Sequence, residues 1–445
     1  MPLSTETSKI ALTHKAILTI AIPVMLSNIS TPLIGVVDTA VVGQIPDPAY
    51  VGAVAVGSLI FGFVFWAFGF LRMGTTGLTA QAFGASENAE ISANLIRALA
   101  ISIVIGISLI LFQWPIREAA FALLSGSEKV EDLARSYFDI RIWAAPATLA
   151  NYALLGWFIG LGRTDIGLIL QLVLNVTNIA LDALFVVGFG WDVRGVAFGT
   201  LLAEWIATVV GVLIAMHYLR KFDGISSNAR LFDVDQLKRT IIVNSDIMIR
   251  SMALILAHVW FMAQGAKQGD IILAANAVLM HLVALSAFFL DGLAFSAETL
   301  VGRAIGAANR VGLMQAARMT TQWAAGVALL LSLIIAIFGA EFIDLLTVDN
   351  EVRSAARTYL IWATGIPLLG VWAYQLDGIF IGATRTAEMR NAMLISFSIF
   401  IIAWWLFTPF QNNGLWAALY VNYFARILTL YYHYPKLVCS ISDAR

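Results

Sequence analysis

The feature that most narrows what this chain can become is a succession of apolar stretches bounded by turn residues, each long enough to cross a bilayer. About 20 residues suffice for a helical span. In order they fall at 15–42, 50–71, 91–113, 134–160, 166–188, 195–219, 239–264, 271–301, 315–338, 355–382, 388–408 and 414–434. Of the 445 residues, 60% are hydrophobic and only 12% charged, with a mean hydropathy of +0.84. A chain of this kind is expected to be an all-α polytopic membrane protein with twelve transmembrane helices. A net charge of -1 argues against nucleic acid as a partner. The lone Cys439 can form no internal disulfide. The polar start leads directly into a full span, so no cleavable signal peptide is expected.

An even number of spans puts both ends on one side. Seventeen Lys and Arg fall on that side and seven on the other, which predicts cytoplasmic termini. The longest polar loop of that side, 220–239, lies at the centre of the chain. It is expected to divide an N-terminal six-helix bundle, 1–222, from a C-terminal one, 239–445, with 223–238 as the linker.

An internal repeat supports that division. AFGA at 82–85 recurs as AIGA at 304–307, and GWFIGLGRT at 156–164 recurs as GIFIGATRT at 378–386. Both pairs share one offset, which is half the chain. A weaker pair, GVAFGT at 195 and GLWAAL at 414, falls three positions short of that offset. Six spans per repeat is an even number, so the halves enter the membrane from the same side, as parallel repeats do. The expected architecture is two pseudo-symmetric six-helix bundles.

Charged residues inside spans are costly and mark function or compensated structure. The first span carries Pro23, Pro32 and, near its far end, Asp38. Each proline removes a backbone donor and is a candidate kink. In the fifth span, Asn175, Asn178 and Asp182 stand at i, i+3 and i+7, one helical face, at a depth similar to Asp38. Thr200 and Glu204 in the sixth span and Asn151 in the fourth join them. Moved by the offset of the repeat, Asp38 maps to Trp260 and Asp182 to Trp404, so the second half has aromatics where the first has acids. That asymmetry favours a functional role for Asp38 with Asp182. The second half holds Asp246, Arg250, Asp291 and Asp377 closer to the cytoplasm. They are candidates for an ion-pair network, with a coupling-ion site as the competing reading. Glu298 is expected to pair locally with Arg303. His258 and His281, the histidines well inside spans, read as packing residues in competition with a proton relay.

The twelve spans in two repeats, the Pro23–Asp38 first helix, the NxxxD of Asn178–Asp182 and the paired GxFxGxxRT turns resemble the multidrug and toxic compound extrusion (MATE) transporters. LDGLAFSAETLVGRAIGA at 290–307 and LDGIFIGATRTAEMRNAM at 376–393 are similar to its DinF branch. The resemblance implies that Asp38 takes up the coupling proton and that Pro23 is the hinge about which the first helix bends. It also implies that Asn178, Asp182 and Thr200, with Tyr137 and Asn151, line a cavity in the first bundle. No cofactor is implied beyond a coupling ion, H+ or alternatively Na+. The expected activity is proton-coupled antiport of amphipathic organic cations, in a monomer of the bacterial cytoplasmic membrane. A sodium-coupled exporter and a lipid flippase are the alternatives. An enzyme is disfavoured: there is no HExxH, DDxxD or GxSxG, and the five histidines are scattered.

Overall fold

The computed structural model describes residues 12–124, 127–220 and 233–441. The linker expected at 223–238 therefore lies largely outside the described residues, as do the side chains of residues 31–34, including Pro32. All regular structure among the described residues is helical. The helices are α1 (His14–Val42), α2 (Pro48–Trp66), α3 (Phe70–Gly84), α4 (Asn88–Leu111), α5 (Gln113–Leu123), α6 (Glu128–Arg141), α7 (Ala145–Gly160), α8 (Thr164–Asp182) and α9 (Asp192–Leu219). They continue with α10 (Val234–Ala266), α11 (Asp270–Gly306), α12 (Arg310–Leu346), α13 (Asn350–Gly382), α14 (Thr386–Phe407) and α15 (Gln411–Cys439).

The described helices accommodate twelve spans. Ten described stretches are long and apolar enough to cross a membrane, and one of them, Thr386–Cys439, is the two helices α14 and α15. The twelfth is α13, 33 residues long. Helices close their own backbone hydrogen bonds, as hydrocarbon requires, and their outward faces carry large apolar side chains such as Leu330, Ile337 and Trp405. Three features were not visible as apolar periodicity. The second span breaks at Ala67–Gly69 and resumes as α3. The fourth is α6 and α7 joined by a single 3-10 turn at Ile142–Ala144. The short α5 packs against α6.

Three helix starts, those of α2, α12 and α13, carry side-chain caps. Asp47 accepts from Ala49 N at 2.9 Å, with Pro48 entering the first turn. Lys129 pairs with Asp47 and holds its carboxyl below the usual carboxylate range. Asn309 caps α12 and Asp349 caps α13 in the same way.

The repeat is written into the backbone. Ser86 and Ala308, equivalent by the offset of the repeat, both adopt left-handed φ values, 58° and 49°, at matching turns. Gly162 and Thr384 do the same at 63° and 51°, and so do Asp192 and Gln411, at the shorter offset of the weaker pair, with 48° and 52°.

By backbone proximity the chain forms two compact units, Leu26–Thr79 with Glu87–Thr240, and Met1–Met25 with Ala80–Ser86 and Ile241–Arg445. In the first, α8 packs on α9, α4 on α7 and α2 on α6. In the second, α11 packs on α13, α12 on α13 and α14 on α15. Its apolar core includes Phe261, Leu279, Phe400 and Trp416.

Within the second unit the ends of α3 and α11 cross through small residues. Gly84 lies against the Arg303 carbonyl and Gly306 against the Gln81 carbonyl, so tightly that a Cβ at either would overlap it. Gly302 meets Ala80 between them. Residues 80, 81 and 84 correspond to 302, 303 and 306 in the repeat, so the motif pair AFGA/AIGA marks a two-fold-like helix crossing of the small-xxx-small kind.

Candidate functional site

α1 and α8 bring the two acids together. Asp38 lies one turn from the end of α1, and Asp182 is the last residue of α8. Both are buried, at 2% and 0% exposure. Their carboxyl groups face each other within hydrogen-bonding reach. Two bare carboxylates this close would repel, so the arrangement favours a proton shared between them. Asn178, one turn back on α8, donates from Nδ2 to Asp182 Oδ2 at 3.0 Å and to Thr200 Oγ1 at 3.2 Å. Thr200 donates to the Val196 carbonyl at 3.0 Å. Gly199 faces the same carboxyl, and a Cβ there would overlap Asp182 Oδ1. Directly after Asp182 the helix loosens into a π-helical turn, Ala183–Gly188, a device common next to functional sites.

Asp38 also lines a cavity of about 350 Å3 within the same unit. Phe61, Phe65 and Trp66 supply apolar wall, and Arg141, Asn151 and Glu204 the polar part. Arg141 donates from Nη1 to the Tyr137 hydroxyl at 2.9 Å and lies 5.4 Å from the Phe61 ring centre. It is close enough to act electrostatically on both Asp38 and Glu204. Asn151 donates to Glu204 Oε2 at 2.8 Å and accepts from Thr208 Oγ1 at 3.0 Å. Three acids and Arg141 therefore share this region, and Arg72 is near enough to act on Tyr152 in the same wall.

The sequence-derived residues take two different positions. Asp38 and Asn151 line the cavity. Asn178, Asp182 and Thr200 stand behind Asp38, and Tyr137 lies under Arg141 with its hydroxyl also 3.4 Å from Ser58 Oγ. Asn175 is turned to α1, where it donates to the Ser30 carbonyl at 3.1 Å and accepts from Gln171 at 2.8 Å. These four non-acidic residues support the site rather than line its void, because their helical faces point into protein. Gly199 and Arg141 were not singled out from sequence. Arg141 could have been, as a cation one helical turn from Tyr137 in a span facing two acids.

At the equivalent positions of the second half, Trp260 and Trp404 meet edge to face with ring centres 5.3 Å apart. The register that pairs Asp38 with Asp182 thus pairs two tryptophans there.

The polar residues of the second half sort differently from the expected network. Arg250 and Arg426 both bind Asp377, with Arg426 Nε 3.3 Å from Oδ1. Asp291 is near enough to act on both cations. Asp246 stands apart from them: it accepts from Arg390 Nη1 at 2.6 Å and from Thr386 Oγ1 at 2.9 Å. Arg390 sits a turn into α14, so Asp246 is claimed by that helix and not by Arg250. The expected Glu298–Arg303 pair is absent; all three Arg303 guanidinium nitrogens lack a hydrogen-bond partner, and the group lies 4.4 Å over the Phe83 ring. The α3–α11 crossing turns Arg303 towards α3 instead of along its own helix. His258 Nδ1 bonds the Leu254 carbonyl one turn back, as a packing histidine does. Pro23 lies in the continuous helix α1, two residues before the junction at Met25–Leu26 where that helix passes from one compact unit to the other.

Residues 23–184 and 247–406 each match the MatE family, and the ends of the two matched segments are separated by the offset of the repeat. Over 417 residues the chain is 39% identical to DNA damage-inducible protein F of Escherichia coli (strain K12), covering 94% of this chain and 91% of that one. It is 22% identical to the probable multidrug resistance protein NorM of Bacillus licheniformis, over 97% of each chain. A solved structure described as MATE in the bent conformation matches with a TM-score of 0.87 at 19% identity, over 96% of this chain and 95% of that one. With the family matched in both halves and the identity to the Escherichia coli protein running nearly end to end, this chain belongs to the MatE family of multi-pass membrane transporters.

Proposed function

We propose that this transporter is a proton-coupled exporter of amphipathic organic cations, working by alternating access as a monomer in the bacterial cytoplasmic membrane with both termini inside. The observation that carries the reading is the carboxyl–carboxyl contact of Asp38 and Asp182 at the wall of an aromatic cavity, in a register that the second half fills with tryptophans. With one proton shared by the pair, Glu204 and the remaining charge outweigh Arg141, and the cavity attracts a cation. Phe61, Phe65 and Trp66 add apolar and cation–π attraction for its rings. The name of the NorM relative accords with organic compounds as cargo.

A second proton, loaded from the outer side, removes that surplus of negative charge. The cation is released, the polar contacts around Asp38 rearrange, and α1 bends at Pro23. Return to the inward-facing state gives the proton to the cytoplasm. Sodium is the weaker candidate as coupling ion in the second half, since both guanidiniums bound to Asp377 occupy the oxygens such an ion would need.

The test is dye efflux from vesicles given first a pH gradient and then a sodium gradient. Wild type is expected to respond to the pH gradient alone. Asp38→Asn is expected to insert normally and lose the response. Wild-type rates in that variant, or efflux driven by sodium alone, would overturn the coupling scheme.

A further inference from the structure

A second groove, of about 400 Å3, runs along the flank of the C-terminal unit between α12, α13 and α15, away from the acids of the first bundle. That volume is in the range of ordinary ligand pockets, roughly 300–1,000 Å3. Most of its wall is apolar, from Met314, Ala317, Trp372, Leu376, Ile379 and Ile427. Two features do not belong in a simple lipid-facing seam. Gln375 lines the groove at 1% exposure, and neither its Oε1 nor its Nε2 has a hydrogen-bond partner. A buried amide left this way is unfavourable, and a ligand group reaching into the groove would offset that cost. Arg318, on the rim, is an exposed cation that forms no ion pair among the described residues. Thr321, Gln322, Tyr431 and Tyr434 also line the groove, and no carboxylate does.

The level of these groups is set by topology. With each helix crossing the membrane once, the start of α12 and the ends of α13 and α15 fall at one face. At 1.5 Å per residue, Arg318, Gln375 and Tyr434 lie roughly 8–12 Å inside their helix ends. That is the depth at which a lipid passes from headgroup to ester to chain. A lone cation excludes the positively charged cargo proposed for the first bundle and selects an anion.

We propose that this groove is a site for an anionic glycerophospholipid, with its phosphate held by Arg318, its ester region hydrogen-bonded by Gln375 and one acyl chain along the apolar wall. The lipid is a resident of the groove and is not transported. The assignment is independent of the coupling scheme.

The test is native mass spectrometry of the purified full-length protein in a neutral detergent, offered dioleoyl phosphatidylglycerol and dioleoyl phosphatidylcholine in equal amounts. Wild type is expected to retain phosphatidylglycerol preferentially. Arg318→Gln, a change at an exposed side chain, is expected to lose about fivefold of that preference, the effect of about one basic residue at an anionic membrane surface. Gln375→Leu, which removes the unpartnered amide, is expected to lower retention of both lipids without loss of folded protein. Asp38→Asn is expected to behave as wild type. Equal retention of the two lipids by wild type, an unchanged preference in Arg318→Gln, or displacement of the lipid by ethidium would each overturn the proposal, the last by giving the groove to the cargo.

Discussion

At Gly199 a methyl group would stand 3.2 Å from the Asp182 backbone nitrogen but would overlap the outer oxygen of its carboxyl. The atom that must yield is the end of a side chain, so the helix pair survives and the carboxyl turns away. Gly199→Ala is therefore expected to insert and purify like wild type while its pH-driven efflux falls on the order of tenfold, a modest coupling loss. Normal transport by that variant would show that the Asp38–Asp182 contact is dispensable. The two acids were legible in sequence because Asn178 and Asp182 share a helical face and a depth with Asp38. Gly199 was not, since a glycine in a span has many reasons to be there and only the position of Asp182 picks one. The same limit applied to Asp246. Its depth was readable, but its preference for Arg390 over Arg250 depends on which helix packs against α10.

Among the elements, α3 and α11 were the most legible as a pair and the least legible in what they do. AFGA at 82–85 and AIGA at 304–307 stand half a chain apart, and that spacing alone reveals a duplication. It does not reveal that the two copies cross each other, each glycine against the other helix's backbone. Backbone, unlike a side-chain tip, cannot step aside. Gly306→Val is therefore expected to separate the helices and leave little monodisperse protein after detergent extraction. Gly326→Ala on α12, where a Cβ meets nothing within 4 Å, should leave yield and melting temperature unchanged or slightly raised. Equal yields of the two variants would show that the crossing tolerates separation. Other element-level features escaped periodicity for a common reason: the break at Ala67–Gly69 and the turn between α6 and α7 interrupt helices without interrupting apolarity.

Across the whole molecule, one backbone is built twice while its paired acids occur in one half. The same left-handed turns recur at Gly162 and Thr384 and at Asp192 and Gln411, whereas the paired acids become paired tryptophans. The proposed coupling needs an element that belongs to both units, and α1 meets that condition: it belongs to one unit up to Met25 and to the other from Leu26, with Asp38 beyond the junction and Pro23 just before it. Proline in a helix interior removes the bond to the carbonyl four residues earlier, here that of Thr19, and costs about 3 kcal/mol relative to alanine. Pro23→Ala restores the donor and favours the unbent helix without altering either acid. Its melting temperature is expected to match or exceed that of wild type, and cation binding at fixed pH to persist. Efflux driven by a pH gradient should fall well below wild type, because the carboxyls still load a proton that the stiffened helix no longer follows. Full pH-driven efflux in a protein of raised stability would remove Pro23 from the mechanism and leave the rearrangement to other elements around Asp38.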